Sequence, residues 1–201
     1  MKRIFIDCGT NLCQGLNSIS QINNIDKTWS VYSFEANPHT FSKIDKTKFE
    51  HVTFLNKAVW TENCKRNLNI EVVPGKLDDY HNQFLINKEE SNLMVGGGTN
   101  IMDDNFQYPN LNNYIKNSEI VDCIDLSEFI KTFNKYDYII LKLDVEGAEY
   151  PILEKMIENN TISYIDELYI EWHNHMLKDK FNQDYIVENI YKNNIKLHNW
   201  H

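Results

Sequence analysis

Charged side chains follow an apolar run in the second half of the sequence. Residues 137–144 have the composition of a buried strand, and Asp144 and Glu146 stand at its end. Because side chains alternate along a strand, Lys142, Asp144 and Glu146 are predicted to share one face. Buried charge is costly unless it is paired or used, and open α/β sheets bind ligands at the carboxyl ends of their strands. The pattern therefore predicts a functional site here.

Two further acids end strand-like runs near the start of the chain. Asp7 lies in residues 3–8 just before Gly9, and Glu35 ends residues 30–35. The turn after Asp7 lacks the second glycine of the G-x-G-x-x-G motif, which lets the backbone approach a pyrophosphate. An acid that ends the second strand can accept hydrogen bonds from the two hydroxyls of a ribose. The pair therefore fits S-adenosylmethionine, with its ammonium facing Asp7 and its ribose facing Glu35.

Small and polar residues beside these acids complete the predicted cofactor site. The predicted contacts are Asp7, Gly9, Asn11, Gln14, Glu35, Ala36, Asn37, Ala58 and Asp144. Asn11 and Gln14 are assigned to the methionine end of the cofactor.

A histidine near the end of another strand is the candidate base. Glu171 and His173 share one face at the carboxyl end of residues 164–172, which are expected beside residues 137–144. A hydroxyl acceptor is a weak nucleophile and benefits from a positioned base, for which imidazole has a suitable intrinsic pKa. The catalytic prediction is therefore His173, with Asp144 and Glu146 orienting the acceptor.

The same cluster allows a second interpretation, in which a divalent ion binds the acceptor hydroxyl. Asp144, Glu171 and His173 would then be its ligands, and magnesium, manganese or calcium would suit the oxygen atoms. The spacing is too permissive to predict a metal. Lys142 is interpreted as a buried ion-pair partner of Asp144 or Glu171, and Glu149 as an acid suited to the first turn of a helix.

Strand-like and helical patterns alternate along the chain, which predicts an α/β fold with a doubly wound, mainly parallel sheet. The predicted strands are residues 3–8, 30–35, 51–55, 137–144, 164–172 and 195–201, with 57–60 continuing the third strand and 66–73 pairing antiparallel beside it. The predicted helices are residues 14–24, 38–46, 125–133, 149–159 and 183–193. Residues 74–118, which include Gly96 to Gly98, are a long polar insertion and thus a candidate substrate lid or a plain surface loop.

Composition favours a single domain over residues 1–201, with 42% hydrophobic residues. The net charge of -9 makes nucleic acid an unlikely partner, because such a partner requires a basic surface. No run is long enough to span a membrane, and the first residues lack a signal peptide. The four cysteines show no metal spacing. They are predicted to be reduced and mostly buried, in a cytoplasmic protein.

Six blocks of this sequence resemble the FkbM-type family of S-adenosylmethionine-dependent methyltransferases. They are FIDCGTN (5–11), VYSFEANP (31–38), LNKAV (55–59), CIDLSEFI (123–130), LKLDVEGAEYPIL (141–153) and LYIEWH (168–173). The resemblance implies a Rossmann-like class I methyltransferase fold and O-methylation of a hydroxyl group, often on a sugar. Cys13 stands where such sequences usually carry glycine. The last strand of that fold is expected to be missing, because the chain ends at His201.

Other functions stay open at this stage. A nucleotide-dependent oxidoreductase is disfavoured by the missing glycine motif. A non-catalytic cofactor-binding module, or a methyltransferase acting on RNA or another small molecule, would use the same cofactor site. The expected partner is a small-molecule or glycan acceptor. Residues 74–118, a second subunit of a homodimer or a neighbouring domain would complete the site over the acceptor.

Overall fold

The computed structural model describes residues 1–71, 83–86, 98–102, 116–173 and 181–200. Its strands are β1 (Arg3–Cys8), β2 (Ser30–Phe34), β3 (Val52–Leu55), β4 (Ala58–Trp60), β5 (Cys64–Glu71), β6 (Lys116–Asp125), β7 (Tyr138–Leu143), β8 (Glu167–Ile170) and β9 (Lys196–Asn199). Its α-helices are α1 (Gln14–Ile22), α2 (Pro38–Lys43), α3 (Leu126–Ile130), α4 (Glu149–Glu158) and α5 (Gln183–Lys192), with short 3-10 helices at Lys46–Phe49 and Thr161–Tyr164.

Six strands form a parallel sheet in the order β3-β2-β1-β7-β8-β9. The central position of β7, between β1 and β8, confirms the prediction for residues 137–144. The chain builds outward from β1 in one direction and from β7 in the other, so the strand order reverses between these two strands. Such a reversal opens a crevice at the carboxyl ends of the strands. The predicted Rossmann-like, mainly parallel fold is confirmed.

Apolar side chains bury both faces of the two central strands. Ile4 and Ile6 of β1 pack in one core with α3, α4 and α5, whereas Phe5 of β1 and Ile140 of β7 pack in a second core with α1. Helices therefore cover both faces of the sheet. This double cover explains why β7 reads as a continuous apolar run instead of an alternating one.

Short polar residues cap the amino ends of α2 and α3. Asn37 accepts a hydrogen bond from the backbone N–H of His39, and Pro38 fits the first turn of α2. Asp125 accepts from the backbone N–H of Glu128 and starts α3. The cap at Asn37 matters for the site, because it fixes the chain immediately after β2.

A second, three-stranded sheet has the order β4-β6-β5. β5 runs antiparallel to β6, and β4 runs parallel to it. The prediction that residues 57–60 continue the third strand and that 66–73 pair beside it was wrong. Both segments pair instead with residues 116–125, a strand that was not predicted. The chain leaves the large sheet at Asn56, whose side chain donates to the backbone oxygen of Glu35 at 2.8 Å.

Three predicted elements have different ends in the structure. The helix predicted at residues 38–46 ends at Lys43, and a separate 3-10 helix begins at Lys46. The strand predicted at residues 164–172 is the shorter β8, which follows the 3-10 helix that ends at Tyr164. β7 ends at Leu143, so Asp144 and Glu146 lie in the following turn and not on the strand. Glu146 has a φ of 53°, a left-handed conformation that no strand residue adopts.

The predicted insertion at residues 74–118 is described only in part. Residues 98–102 lie against the free edge of β5, where Asn69 and Asn100 exchange two backbone hydrogen bonds of 2.7 and 3.1 Å. Leu85 forms a short bridge with Ile44. Gly96 and Gly97, and most of the predicted lid, lie outside the described residues.

The cysteines are free, as predicted: Cys8, Cys13 and Cys123 are buried and Cys64 is half-buried. Among the helices that the structure describes, none has both the length and the apolar character needed to cross a membrane.

Candidate active site

A cavity of about 300 Å³ lies at the carboxyl ends of β1, β2 and β7, where the strand order reverses. Its lining includes the predicted cofactor residues Gly9, Asn11, Glu35, Ala36, Asn37 and Ala58 on one side. The acids Asp144, Glu146 and Glu171 line the other side. Asp7, Gln14 and His173 are not among the lining residues. We call the first group, which contains most of the predicted cofactor contacts, the cofactor side and the second group the acidic side.

Glu35 is the charged centre of the cofactor side. Its Oε1 accepts from the backbone N–H of Asn37 at 2.8 Å, and its Oε2 accepts from that of Asn11 at 2.7 Å. Burial raises the pKa of Glu35 to about 7, although these two hydrogen bonds act in the opposite direction. Each carboxylate oxygen has a second lone pair, so Glu35 can also accept hydroxyl donors from the cavity.

Gly9 brings the first loop against the turn after β7. Its φ is +80°, and a Cβ atom at this position would lie 1.7 Å from the backbone oxygen of Asp144. No residue with a side chain can make this approach without moving the backbone. Gly9 therefore fixes the spacing between the cofactor side and the acidic side of the cavity.

Asp7 is fully buried beneath the first loop. Thr10 donates its hydroxyl to Asp7 Oδ2 at 2.7 Å, and Lys142 Nζ lies 3.4 Å from Asp7 Oδ1. Asp7 does not line the cavity, so its contact with the cofactor ammonium stays a prediction that this geometry does not support. In this structure its charge is used to hold Lys142 and the loop.

Lys142 contacts residues from both sides of the cavity. Its Nζ donates to the backbone oxygen of Gly9 at 2.9 Å and lies 3.2 Å from Asp144 Oδ2. Burial acts to lower the pKa of Lys142, but the carboxylates of Asp144 and Asp7 outweigh it and hold the pKa above its usual value. Gly15 leaves room for this side chain, because a Cβ there would lie 2.5 Å from Lys142 Cε. The predicted ion pair with Asp144 is confirmed.

Two left-handed residues shape the first loop, Asn11 with φ 47° and Cys13 with φ 68°. Cys13 keeps a conformation that glycine adopts more easily, at a cost of about 1–2 kcal/mol. Gln14 Oε1 accepts from the backbone N–H of Leu12 at 3.0 Å. Gln14 therefore stabilises the loop from outside the cavity lining, and its contact with the cofactor stays a prediction.

Glu149 organises the acidic side. Its Oε1 accepts from the backbone N–H of Val145 at 2.7 Å, and its Oε2 accepts from that of Gly147 at 2.9 Å. The residue is fully buried at the start of α4. Glu149 was predicted only as an acid suited to the first turn of a helix, and the structure adds these two backbone contacts. The two hydrogen bonds hold the turn that carries Asp144 and Glu146 into the cavity.

His173 lies behind the acids, within reach of three carboxylates. Its Nδ1 lies 2.9 Å from Glu149 Oε1, and its Nε2 lies 3.4 Å from Glu146 Oε1 and 3.9 Å from Glu171 Oε1. Burial alone would lower the pKa of His173, but its hydrogen bonds to Glu146 and Glu149 and their charges raise it to about 11. These contacts favour the protonated imidazole, which has no lone pair for an incoming proton. They argue against His173 as the base, and that role stays a prediction.

The acids of the cavity differ in how strongly they are paired. Asp144 is paired with Lys142, and Glu146 with His173. Among the residues that the structure describes, Glu171 makes only the longest of these contacts, to His173, and its side chain is 35% exposed. Burial raises the pKa of Glu171, and the neighbouring charge of Asp144 adds to the effect. Burial also raises the pKa of Glu146, although His173 opposes it.

The structure adds lining residues that the sequence did not indicate. They include Leu68, Thr99, Asn100 and Ile101. Leu68 lies on β5, and residues 99–101 belong to the segment that pairs with β5 at Asn69. No local pattern carries that information, since the pairing joins segments about thirty positions apart in the sequence.

Comparison with known proteins agrees with this geometry. A profile described as the methyltransferase FkbM domain matches residues 7–193, which contain both sides of the cavity. The chain belongs to this family. Among solved structures, it is similar to the methyltransferase FkbM from Methylobacillus flagellatus KT, with 11% identity and a TM-score of 0.45. The similarity covers 93% of this chain and 37% of that FkbM protein, so the chain spans well under half of its relative. A search among curated proteins found no match.

Proposed function

We propose that this FkbM-family chain is an S-adenosylmethionine-dependent O-methyltransferase that acts on a hydroxyl group of a sugar or glycan. The observation that carries the proposal is the division of one cavity into two chemically distinct sides. Glu35 is fixed by backbone donors on the cofactor side, and three carboxylates face it on the acidic side.

The cofactor side fits the adenosine half of the donor. Glu35 is placed to accept hydrogen bonds from the ribose hydroxyls. Gly9 and Asn11 line the part of the cavity next to the expected position of the ribose. Ala36 and Ala58 leave room for a planar base between β2 and β4. The absence of a pyrophosphate motif in this loop also favours a nucleoside without phosphates. When bound, the cofactor supplies a methyl group on a sulfonium.

The acidic side fits the acceptor. Methyl transfer forms a carbon–oxygen bond as the carbon–sulfur bond breaks, which leaves S-adenosylhomocysteine, and the hydroxyl proton must pass to a base. Glu171 is the proposed base, because it is less paired than Asp144 and Glu146 and its raised pKa strengthens its attraction for a proton. Asp144 and Glu146 would orient the acceptor. Neutral polar groups such as Asn100 and Thr99 could hydrogen-bond the other hydroxyls of a sugar.

A turnover assay tests this proposal. The full chain is mixed with S-adenosylmethionine and a panel of sugars, nucleosides and short RNAs, and S-adenosylhomocysteine is measured. We expect methylation of hydroxyl-bearing sugars, and we expect Glu171→Gln to lower the rate by about 10²- to 10⁴-fold. Glu188→Gln is the matched control, because Glu188 pairs with Lys192 on the surface of α5. Methylation of RNA alone, or of a nitrogen atom in every active acceptor, would contradict the proposed acceptor class.

A further inference from the structure

We propose that Asp144, Glu146 and His173 form a binding site for a divalent cation at the acidic side of the cavity. The binding itself does not depend on the proposed function, although its role in catalysis does. The ligand class is a hard ion of the manganese or magnesium type. Two carboxylates and one imidazole supply donor atoms that such ions accept in proteins, and the imidazole releases its Nε2 proton to solvent when the ion binds.

The first reason is the convergence of three donor atoms from two chain segments. One nitrogen or oxygen atom from each of Asp144, Glu146 and His173 lies within 4.8 Å of the others. Asp144 and Glu146 come from the turn after β7, and His173 follows β8. The parallel pairing of β7 with β8 brings the two segments together. Asp144 and Glu146 also line the cavity, so an ion between them would be accessible to an acceptor.

The second reason is the support of the histidine from outside the cluster. Glu149, which is fully buried, accepts from Val145 and Gly147 and lies 2.9 Å from His173 Nδ1. This contact orients the ring so that Nε2 faces the cavity acids. In metal sites, a ligating histidine is almost always held in this way, through its other nitrogen, by a carboxylate or a carbonyl. Glu149 also positions the turn that carries the two carboxylate ligands.

The third reason is the excess of negative charge. The carboxylates of Asp144, Glu146 and Glu171 line the same side of the cavity. Lys142, which is shared between Asp144 and Asp7, and His173, which is shared between Glu146 and Glu149, offset part of this charge. A divalent ion that takes the place of the His173 proton would balance more of the remaining charge, which is costly when it is partly buried.

This ligand set differs from the one that the sequence allowed. Glu146 replaces Glu171, whose Oε1 is 3.9 Å from His173 Nε2, compared with 3.4 Å for Glu146 Oε1. Glu171 then stays available as the base. The ion would bind the acceptor hydroxyl and lower its pKa, so that proton transfer to Glu171 becomes easier.

Manganese is the appropriate probe, because the four free cysteines would compete for softer metals such as zinc. The full chain is treated with chelator, exchanged into clean buffer and titrated with Mn²⁺, and free Mn²⁺ is measured by electron paramagnetic resonance. No cofactor or acceptor is present, so the result does not depend on turnover. We expect one Mn²⁺ per chain.

The variants locate the ion. His173→Gln, Asp144→Asn and Glu146→Gln should each weaken Mn²⁺ binding by at least about tenfold, and Glu149→Gln by about 10- to 100-fold through loss of the support for His173. His39→Gln is the matched control, because His39 contacts Glu119 at 2.7 Å outside the cavity lining. Circular dichroism identifies any variant that fails to fold, and the remaining ligand variants then decide the result.

Absence of Mn²⁺ binding by the wild-type chain at millimolar concentration would overturn the proposal. Equal binding by the wild-type chain and by the folded ligand variants would also overturn it. A loss caused by Glu171→Gln but not by Glu146→Gln would reject this ligand set in favour of Asp144, Glu171 and His173. Normal S-adenosylhomocysteine binding without Mn²⁺ binding would reject only the metal site, whereas the reverse result would reject only the proposed cofactor.

Discussion

Glu35 and Glu149 are held by the same pattern of backbone hydrogen bonds, on opposite sides of the cavity. Each is buried, and each accepts one backbone hydrogen bond at each carboxylate oxygen. Their surroundings differ in one respect. Glu149 contacts the imidazole of His173 at 2.9 Å. For Glu35, the positive charge with the largest effect on the pKa is that of Lys142, and it lowers the pKa less than the two backbone hydrogen bonds do.

The difference separates a structural acid from a binding acid. Glu149 has donors on both oxygens and the His173 imidazole beside it, and it does not line the cavity. Glu35 lines the cavity, and its pKa is raised to about 7 because burial is not fully offset. A ligand with hydroxyl groups can donate further hydrogen bonds to the Glu35 carboxylate and so stabilise its charge. The comparison therefore predicts that Glu149 contributes mainly to folding and Glu35 mainly to affinity.

The largest expected effect is on folding. Glu149→Gln should lower the free energy of unfolding by about 3–5 kcal/mol, because it removes one partner of a buried ion pair and leaves a backbone N–H without its acceptor. Urea denaturation measures the change. Glu158→Gln, at the exposed end of the same helix, is the matched control and should change stability by less than about 0.5 kcal/mol. Equal effects of the two substitutions would remove Glu149 from its structural role.

The next effect concerns the contact between the two sides. Gly9→Ala should cost about 2–4 kcal/mol of stability, because the new Cβ would meet the backbone of Asp144 at a left-handed φ. Gly15→Ala meets only the Lys142 side chain and has no positive φ. It should therefore cost less than Gly9→Ala in the same urea titration. The opposite order would show that the lysine network, and not the backbone contact, sets the spacing of the cavity.

A smaller effect should appear in the pH dependence of binding. The carboxyl group of Glu35 has its pKa raised to about 7, so it becomes ionised as the pH rises through that value. Hydroxyl donors prefer the ionised acceptor. S-adenosylhomocysteine affinity should therefore increase by up to about fivefold between pH 6 and pH 7, by up to about tenfold between pH 6 and pH 8, and level off above pH 8. Calorimetry in matched buffers measures this profile.

Glu35→Gln is the control for that profile, because it removes the titrating group at the same position. Its affinity should vary little over this range. If the variant kept the wild-type pH dependence, another group would be responsible and the role of Glu35 in binding would be contradicted.

The sequence predicted the large sheet well because the signals for it are local. Long apolar runs marked β1 and β7, and acids at strand ends marked Glu35 and Asp144 as site residues. The second sheet was missed because β4, β5 and β6 are joined by pairing across a long insertion. Strand pairing of that kind depends on the whole fold and leaves no periodic trace in any one segment.

The network of contacts between charged side chains could also not be predicted from the sequence. The types of Asp7, Lys142 and His173 were informative, but their roles depend on which partner each one meets. Asp7 meets Lys142 instead of the cavity, and His173 meets two glutamates that favour its protonated form. A residue's intrinsic pKa indicates its chemistry only when its surroundings leave that pKa near its ordinary value.

The central claim is that the cofactor binds at the Glu35 side and the acceptor at the acidic side. The most direct measurement is a calorimetric titration of S-adenosylhomocysteine into the wild-type chain, Glu35→Gln and Glu171→Gln at pH 8. We predict one site per wild-type chain, an affinity about tenfold lower for Glu35→Gln through loss of about 1.5 kcal/mol of charge-assisted hydrogen bonding, and a change of less than about threefold for Glu171→Gln. Absence of binding by the wild-type chain, or a larger loss in Glu171→Gln than in Glu35→Gln, would contradict this assignment of the two sides.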